Sequence, residues 1–380
     1  MNTPEFRDAC AKRLAENQNR GATFTAFIGL DGFVDEIVHV VDKRQSAESF
    51  QRLATISKFS ERLGAAAGRS TNVELVTKLT KLGGNGPIMA NALASFGIRV
   101  TYLGNLGYPN PHPVFSDFAK RAEVCSIAEP GHTDALEFED GKIMLGKHSS
   151  LKDVNWKNIA ERFGREKFSA KFGSSDLVGF VNWTMLPYMN GVWETALKEI
   201  CPALKGPRKL LFFDLADPEK RTAADIRRAL ELIASFQKYL DVILGVNEKE
   251  AGEVGKVFEL DTSDHSPAGL SKLALAINEK CPVKTIVVHP VAYALAVTDG
   301  KVDLVEGPFC GKPIITTGAG DHFNSGFCLG KLLSLDNAKS LLIGVATSGF
   351  YVRTANSPGI GDLANMLNKW PISDELVNRK

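Results

Sequence analysis

The sequence predicts an α/β fold in which a mostly parallel central sheet is covered by helices, and three observations point to it. Short β-branched and aromatic runs alternate with amphipathic segments from one end of the chain to the other. Hydrophobic residues make up 44% of the 380 residues, enough to bury a sizeable core. No Pro/Gly/Ser-rich linker, low-complexity tract or internal repeat divides the chain. Residues 1–380 are therefore expected to form a single domain.

The strands of the predicted sheet are short apolar runs bounded by turn residues. They are expected at Thr23–Gly29, Val73–Leu79, Arg99–Gly104, Asp176–Val181, Lys209–Asp214, Asp241–Val246 and Lys284–His289. Helices are expected between them at Pro87–Phe96, Ala223–Tyr239, Glu248–Lys256, Ala268–Glu279 and Asp321–Leu333. Strands that alternate with helices in this way belong to parallel sheets with helical crossovers.

One segment, at about residues 133–146, interrupts this alternation. Thr133–Leu145 alternates apolar and polar residues on both sides of Asp140-Gly141, a dipeptide that favours a hairpin turn. An antiparallel hairpin within a parallel α/β chain is an accessory element. The pattern alone is equally compatible with a lid over a site and with a flap at the sheet edge.

Charge and cysteine content restrict the kind of partner. The chain has 45 basic and 44 acidic residues, so no strong field would draw it onto nucleic acid or an anionic membrane. The N-terminus lacks the apolar stretch of a signal peptide, and the longest apolar run is interrupted by His289 and Pro290. Six scattered cysteines without a C-x-x-C pair fit reduced thiols in the cytoplasm. A small-molecule partner is expected.

Several predicted strands end in a carboxylate or an amide. These residues are Asp31, Asn182, Asp214 and Asn247. Open α/β sheets bind ligands beyond the carboxyl ends of their strands, where such side chains converge. Each one taken singly is more often a helix cap or a turn former. Their number favours a binding site at this edge of the sheet.

The segment Lys312–Phe327 carries the strongest chemical signal. Gly318, Ala319 and Gly320 follow a short apolar run and precede a helical pattern, so their backbone N–H groups should form an anion hole at a helix N-terminus. A carboxylate in the first turn, Asp321, could remove a proton from a hydroxyl that attacks a phosphoryl group. The alternative is that Asp321 only caps the helix and the glycines only make a turn. Its neighbour His322 is more readily a capping or solvated residue than a second acid or base.

A second glycine cluster comprises Gly83, Gly84 and Asn85, just before a predicted helix that has Pro87 in its first turn. Adjacent glycines let a ligand approach the backbone, although helix-entry turn chemistry explains them as well. As a G-x-G-x-x-G dinucleotide motif the cluster fails, because Met89 occupies the third glycine position.

Taken together, these motifs resemble those of the ribokinase-like (PfkB) carbohydrate kinases. The run Thr316–Asp321 is similar to the family signature D-T-x-G-A-G-D. The resemblance implies that Asp321 activates the acceptor hydroxyl and that the backbone of Gly318, Ala319 and Gly320 stabilises the transferring phosphoryl group. Ile315 stands where the family usually has an aspartate tied to a monovalent-cation site, so the resemblance does not extend to a potassium requirement.

The same resemblance assigns further site residues, from the order of the motifs along residues 23–360. It implies that Asp31 holds hydroxyls of the acceptor, together with the G-G-N run that consists of Gly83, Gly84 and Asn85. Asn247 and Glu250 match the N-x-x-E motif, with Asn247, Thr316 and Thr317 implied to contact the nucleotide and Glu250 to bind magnesium, largely through water. The stretch His289–Ala294 departs from the family, because it lacks the glycines of T-x-G-x-x-G.

The implied protein has a three-layer α/β/α ribokinase-like fold with a small β lid. It would transfer the γ-phosphoryl group of ATP, as the Mg²⁺ complex, to a hydroxyl of a sugar or related polyol, with the lid excluding water. A homodimer through the lid is a further expectation. The alternatives are a nucleoside kinase of the same fold, a non-catalytic sugar- or nucleotide-binding protein, and, less favoured, a dehydrogenase.

Overall fold

The computed structural model describes residues 2–371, which form two β-sheets and the helices around them. The strands in this part of the chain are β1 (Thr25–Leu30), β2 (Phe33–Arg44), β3 (Phe50–Arg52), β4 (Leu75–Gly83), β5 (Arg99–Gly104), β6 (Glu123–Ser126), β7 (Gly131–Phe138), β8 (Gly141–Lys147), β9 (Leu177–Phe180), β10 (Leu210–Asp214), β11 (Asp241–Val246), β12 (Thr285–Val288), β13 (Tyr293–Thr298) and β14 (Lys301–Glu306).

The α-helices of the same described residues are distributed between these strands. They are α1 (Pro4–Glu16), α2 (Ile56–Ala65), α3 (Asn85–Ser95), α4 (Ser116–Ala119), α5 (Trp156–Asn158), α6 (Arg165–Ser174), α7 (Met189–Thr195), α8 (Ala223–Phe236), α9 (Glu248–Val257), α10 (Pro267–Lys280), α11 (Ala319–Leu332), α12 (Asn337–Thr354) and α13 (Ile360–Asn368). Short 3₁₀ and π turns extend several of them. Among residues 2–371 no helix is both long enough and apolar enough to cross a membrane.

The central sheet has nine strands in the order β14-β13-β12-β11-β10-β9-β1-β5-β6. Every neighbouring pair from β12 to β6 is parallel, and only β13 and β14 are added as an antiparallel hairpin at one edge. The parallel strands read as continuous apolar runs because both of their faces are covered. Their carboxyl ends consequently meet at one edge of the sheet, where the polar strand-end residues lie.

Two hydrophobic cores lie on the two faces of this sheet. In β10, Phe213 belongs to the core that includes helices α7–α10, whereas its neighbour Phe212 belongs to the core that includes α3 and α11–α13. Successive strand residues point to opposite faces, so a run in which every residue is apolar fills both cores at once. The predicted three-layer α/β/α fold with a mostly parallel sheet is confirmed.

The second sheet is larger than the predicted hairpin, and it corrects one strand assignment. β2 pairs with β4 on one side and with β7 on the other, β8 follows β7, and β3 pairs with the far end of β2. The strand expected at Val73–Leu79 in the parallel sheet is therefore β4, antiparallel to β2 in this second sheet. Exposed β4 positions such as Thr77 and Leu79 explain the difference, because a central parallel strand would be buried on both faces.

The predicted hairpin is formed by β7 and β8, although its turn is displaced by one residue. Phe138 pairs with Gly141, so the two loop residues are Glu139 and Asp140 rather than Asp140 and Gly141. The five predicted helices correspond to α3 and α8–α11, with ends shifted by a few residues. The start of α11 at Ala319 matters most, because it places Asp321 within the first helical turn.

Candidate active site

Asp321 lies at the N-terminus of α11, where the sequence predicted an anion hole. Gly318 is the capping residue, with φ at 93°, a value that an L-residue adopts only with strain. The N–H of Ala319 donates to the carbonyl of Thr316 at 3.0 Å. No acceptor within residues 2–371 is assigned to the N–H of Gly320, which leaves it available to an anion at the positive end of the helix dipole. Asp321 itself is only 5% exposed.

A short chain of hydrogen bonds connects Asp321 to Asp31. The side-chain amide of Asn85 donates to Asp321 Oδ1 at 3.1 Å, and the backbone N–H of Asn85 donates to Asp31 Oδ2 at 3.0 Å. Asp31 also accepts from the Gly86 N–H at 2.8 Å and from Asn182 Nδ2 at 2.7 Å. The structure therefore brings three of the predicted site residues into one connected group.

Burial raises the pKa of both carboxyl groups, those of Asp321 and Asp31. It raises the pKa of Asp321 to about 8, although the hydrogen bond from Asn85 acts in the opposite direction. The pKa of Asp31 rises to about 6 for the same reason, with its three hydrogen bonds limiting the rise. Asp31 has no exposed surface. A carboxylate with a pKa near neutrality is suited to take up and release a proton during turnover.

Glycine is favoured at positions 83 and 84 because a carboxylate lies close to the backbone at each of them. A Cβ on Gly83 would lie 2.3 Å from Asp35 Oδ2, and one on Gly84 would lie 2.9 Å from Asp31 Oδ2. Gly84 also has φ at 98° as the capping residue of α3. The glycines thus allow both carboxylates to approach the backbone closely, and they do so at the junction of the second sheet with the helix that carries Asn85.

Asn247 and Glu250 form a reciprocal capping box at the start of α9. Asn247 Oδ1 accepts from the Glu250 N–H at 2.9 Å, and Glu250 Oε2 accepts from the Asn247 N–H at 2.9 Å. The other oxygen, Oε1, accepts from the Asp217 N–H at 3.0 Å. Burial raises the pKa of Glu250. The pKa of Asp214, at the end of β10, is raised well above its usual range by burial and by the charges of Glu250 and Asp321.

A cavity of about 350 Å³ opens at the N-terminus of α11, where Ala319 and Gly320 line it. Four predicted residues line it, namely Asn247, Thr316, Ala319 and Gly320, and most of the remaining wall is apolar. Thr317 is not part of the cavity wall, and its carbonyl accepts a hydrogen bond from the Tyr351 hydroxyl at 3.0 Å. The volume falls within the range of small-molecule sites, which are commonly apolar with a few polar groups.

His322 supports the loop rather than facing the cavity. Its Nδ1 donates to the Gly318 carbonyl at 2.7 Å, so its Nε2 must accept the hydrogen bond from the Ser357 hydroxyl at 2.9 Å. Its ring stacks on Tyr351 with centroids 3.6 Å apart. Burial lowers the pKa of His322 to about 4, which keeps the imidazole neutral. The expectation of a capping or solvated residue is not met, because His322 is buried and donates to a carbonyl instead of accepting from the N–H groups of the helix start.

Asn324 and His289 were not among the predicted site residues, and Asn182 was predicted only as one of several polar residues at strand ends. Asn182, at the end of β9, adopts φ at 59° and binds Asp31. Asn324 donates from Nδ2 to Asp214 Oδ2 at 2.9 Å. The imidazole of His289 lines the cavity. Asn182 carries a signal in the sequence, because it ends a strand, whereas Asn324 and His289 become recognisable only once the chain is folded.

Solved structures with this fold identify the class to which the architecture belongs. Ribokinase of Arabidopsis thaliana complexed with ribose and ATP has a TM-score of 0.64 at 14% identity, covering 90% of this chain and 98% of that one. Ribokinase of Cryptococcus neoformans in complex with ADP has a TM-score of 0.60 at 17% identity, covering 90% and 98%. The fold is that of the ribokinase-like carbohydrate kinases.

The sequence comparisons are more specific. A ketohexokinase of Haloferax volcanii is 28% identical over 370 residues, which is 96% of each chain. The family model described as prokaryotic ketohexokinase matches residues 1–370. The chain therefore belongs to the prokaryotic ketohexokinase family and is a carbohydrate kinase. The predicted family and enzyme class are confirmed, and the alternative of a non-catalytic binding protein is not supported.

Proposed function

We propose that this kinase transfers the γ-phosphoryl group of ATP to a hydroxyl of a ketohexose, with Asp321 as the base. The observation that supports this most directly is the position of Asp321. Its carboxylate accepts a hydrogen bond from Asn85, and the two residues before it, Ala319 and Gly320, line the 350 Å³ cavity. A base that lies between an acceptor site and an anion hole can remove the hydroxyl proton as the phosphoryl group arrives.

The donor nucleotide is proposed to occupy the cavity. Its base and ribose would lie against the apolar wall, where Val291 and Phe309 are 89% and 61% exposed. Its phosphates would lie at the α11 N-terminus, where the Gly320 N–H has no assigned acceptor among the described residues. Asn247 and Thr316 would supply polar contacts from the cavity wall, with Thr317 beside them in the same loop.

The acceptor sugar is proposed to bind at the glycine cluster, where Gly83, Gly84 and Asn85 would contact its hydroxyls. Asp31 supports this turn, because its oxygens accept from the Asn85 and Gly86 backbone N–H groups and it has no exposed surface. Contact between Asp31 and the sugar itself stays a prediction. The Gly318–Gly320 backbone would stabilise the charge that develops on the phosphoryl group.

Magnesium is proposed to enter with the nucleotide. Within residues 2–371 no cluster of three or more His, Cys, Asp or Glu side chains could hold a metal ion. Mg²⁺ retains several waters and needs few protein ligands, so the buried carboxylates of Glu250 and Asp214 fit it as water-mediated partners. When bound, the ion would neutralise phosphate charge. No monovalent cation is proposed, because Ile315 has no carboxylate with which to bind one.

Residues 1–380 are proposed to act as one kinase domain with a β lid, in which the hairpin of about residues 133–146 is extended by β2, β3 and β4. The lid has an apolar row on one face, formed by Leu79, Ile37, Ala135 and Met144, which are directly opposite one another on four adjacent strands. The two ends of the row, Leu79 and Met144, are 55% and 54% exposed, whereas Ala135 between them is already buried. We propose that a second copy of the chain covers this row in a homodimer.

The compartment is proposed to be the cytoplasm. All six cysteines lie within the described residues, and Cys10, Cys201, Cys281 and Cys328 are free thiols. Four of them are buried, and burial raises the pKa of these thiols, which makes them unreactive. Free thiols are usual in a reducing compartment.

A panel of acceptors tests the proposed activity. ADP formation is measured with ATP and Mg²⁺ in the presence of ketohexoses, aldohexoses, pentoses and nucleosides. We expect a ketohexose to give the highest kcat/KM. A higher kcat/KM for an aldose would contradict the proposed acceptor while leaving the assignment to carbohydrate kinases intact. A higher kcat/KM for a nucleoside would favour the alternative of a nucleoside kinase.

A further inference from the structure

Asp31 follows β1 directly, and its carboxylate is enclosed by hydrogen-bond donors. Oδ1 accepts from the Gly86 N–H at 2.8 Å, whereas Oδ2 accepts from the Asn85 N–H at 3.0 Å and from Asn182 Nδ2 at 2.7 Å. The Tyr102 hydroxyl donates to the Asp31 carbonyl. The residue has no exposed surface. A sugar hydroxyl therefore cannot reach this carboxylate unless the surrounding donors move away.

The turn that starts α3 completes the enclosure. A Cβ on Gly84 would lie 2.9 Å from Asp31 Oδ2, and one on Gly86 would lie 2.6 Å from Oδ1. The first N–H groups of a helix have no partner within it, and the two that Asp31 accepts belong to Asn85 and Gly86, the first two residues of α3. A carboxylate at this end of a helix is also stabilised by the helix dipole. Asp31 thus fixes the position at which α3 begins.

Asn85 connects this position to the base. Its backbone N–H donates to Asp31, while its side-chain Nδ2 donates to Asp321 Oδ1 at 3.1 Å. Because Asp31 holds the backbone of Asn85, the amide can take few positions relative to Asp321, which belongs to another helix. The charge of Asp31 also contributes to the raised pKa of Asp321. Asp31 can therefore influence the base without contacting the sugar or the base itself.

We propose that Asp31 is a positioning residue, which holds the backbone of Asn85 so that the Asn85 amide orients Asp321 for proton removal. This role differs from the direct sugar contact that the family resemblance implies for Asp31. The inference rests on the proposed role of Asp321 as the base. The two roles have different kinetic effects, because loss of a sugar contact that persists throughout the reaction raises KM, whereas loss of orientation in the base lowers kcat.

Asp31→Asn tests the proposal, because it retains the shape of the side chain but leaves one acceptor oxygen for two backbone N–H groups. We expect kcat with a ketohexose to fall about 10-fold, while the sugar KM changes less than about 2-fold. In the Asn85→Ala background, where the amide to be oriented is absent, the same substitution should lower kcat less than about 2-fold. Such non-additivity distinguishes action through Asn85 from a general loss of structure.

Asp35→Asn is the matched control. Asp35 Oδ2 lies at the same glycine cluster, 2.3 Å from a Cβ built on Gly83. Within residues 2–371 the N–H and the amide of Asn85 donate to Asp31 and Asp321, and not to Asp35. Asp35→Asn should therefore change kcat by the same factor with and without Asn85→Ala.

Initial rates over a range of sugar concentrations, at saturating ATP and Mg²⁺, give kcat and KM, and thermal unfolding shows whether each variant is folded. If Asp31→Asn does not fold, Asn182→Ala takes its place, since it removes one donor from Asp31 and leaves the turn. It should lower kcat about 3-fold, and only when Asn85 is present. A raised sugar KM with unchanged kcat, or equal losses of kcat in both backgrounds, would overturn the inference alone. No turnover of any ketohexose by the unaltered chain would overturn the proposed function as well.

Discussion

At the scale of single residues, the buried environment of Asp321 disfavours the ionised carboxylate that its proposed role as a base requires. Burial removes water from the carboxylate, and the nearby charges of Asp31 and Glu250 add to the effect, so its pKa rises to about 8. The Asn85 amide acts against this rise by donating to the ionised form. The proton affinity of the base is therefore set by a balance between burial and one side-chain hydrogen bond.

Asn85→Ala tests this balance. Removal of the amide should raise the pKa of Asp321 further, because the ionised form loses its hydrogen bond. The rise of kcat/KM with pH, which follows ionisation of the base, is then expected to move to higher pH by roughly one pH unit. A pH–rate profile of the variant and the unaltered chain gives the measurement. A lower rate with the profile in the same place would contradict the proposed link between Asn85 and Asp321.

The free energy of unfolding should also depend on the ionisation of Asp321. It should fall as pH rises, whereas activity should increase. The folded-state pKa of about 8 lies above the ordinary value of 3.8, so the folded chain binds more protons than the unfolded chain between these pH values. Stability therefore falls as pH rises through this window. Asp321→Asn cannot ionise, so its Tm at pH 8 should exceed that of the unaltered chain by roughly 3 °C or more.

Thermal unfolding from pH 5 to pH 9 measures this difference, and comparison of the two proteins cancels the contributions of groups that do not interact with Asp321. The gap in Tm between Asp321→Asn and the unaltered chain should widen as pH rises. A difference in Tm that stays constant or narrows with rising pH would show that the ionised Asp321 does not destabilise the fold.

At the scale of elements, the start of α11 depends on Gly318. A Cβ at this position would lie 3.2 Å from Ile88 Cγ2 and 3.3 Å from the Tyr351 hydroxyl, and φ is 93°. Gly318→Ala should therefore destabilise the fold by about 1–2 kcal/mol and displace the anion hole. The matched control is Gly191→Ala in α7, where a Cβ meets nothing within 4 Å.

Urea unfolding of both variants measures this effect. The control should be neutral or stabilised by up to about 1 kcal/mol, because the alanine restricts the unfolded chain. Equal stability of Gly318→Ala and Gly191→Ala would contradict the strain assigned to the turn. A normal kcat in Gly318→Ala would contradict the assignment of this turn to the phosphoryl group.

The hairpins illustrate what local sequence predicts well and what it does not. Asp299-Gly300 connects β13 and β14, and both residues have positive φ, as the favoured two-residue turn requires. The same dipeptide at Asp140-Gly141 does not form the turn of β7 and β8, because the register places Glu139 and Asp140 in the loop. Register depends on the pairing of the whole strand as well as on its turn.

Long-range pairing explains the other differences. β4 was predictable as a strand, but its apolar content could not show which sheet it joins. The twelve residues of β2 pair with three other strands, and their mixed pattern of buried and exposed positions follows from those contacts. By contrast, the parallel strands are predictable because burial on both faces makes them uniformly apolar.

The residues of the site divide in the same way. Asp31 and Asp321 carry recognisable motifs, so they could be proposed from sequence, and the structure links them through Asn85. Asn324 and His289 occupy a helix and a strand end without a motif of their own. Their partners, Asp214 and Phe323, are distant in sequence or belong to another element. Only the folded chain brings such pairs together.

At the scale of the whole molecule, the lid sheet is joined to the candidate active site by a short connection. β4 ends at Gly83, and α3 begins at Asn85, so movement of the lid would act directly on the group that contains Asp31 and Asp321. A homodimer that buries the apolar row would restrain that movement. Assembly and catalysis are thus expected to depend on the same sheet.

Leu79→Glu combined with Met144→Glu tests the proposed homodimer. The charges interrupt the apolar row at its two exposed ends, so the variant should be monomeric, while thermal unfolding confirms that it remains folded. Light scattering after size-exclusion chromatography gives the mass of each protein. A monomeric mass for the unaltered chain would contradict the proposal, and so would a dimeric mass for the variant.

The most direct test of the account is the turnover of Asp321→Asn. With ATP, Mg²⁺ and the best ketohexose, kcat should fall roughly 10²–10⁴-fold, because the acceptor hydroxyl loses its base. Calorimetry on the same protein should give nearly unchanged ADP affinity, since the backbone of the anion hole is retained. A kcat close to that of the unaltered chain would contradict the central claim that Asp321 is the catalytic base.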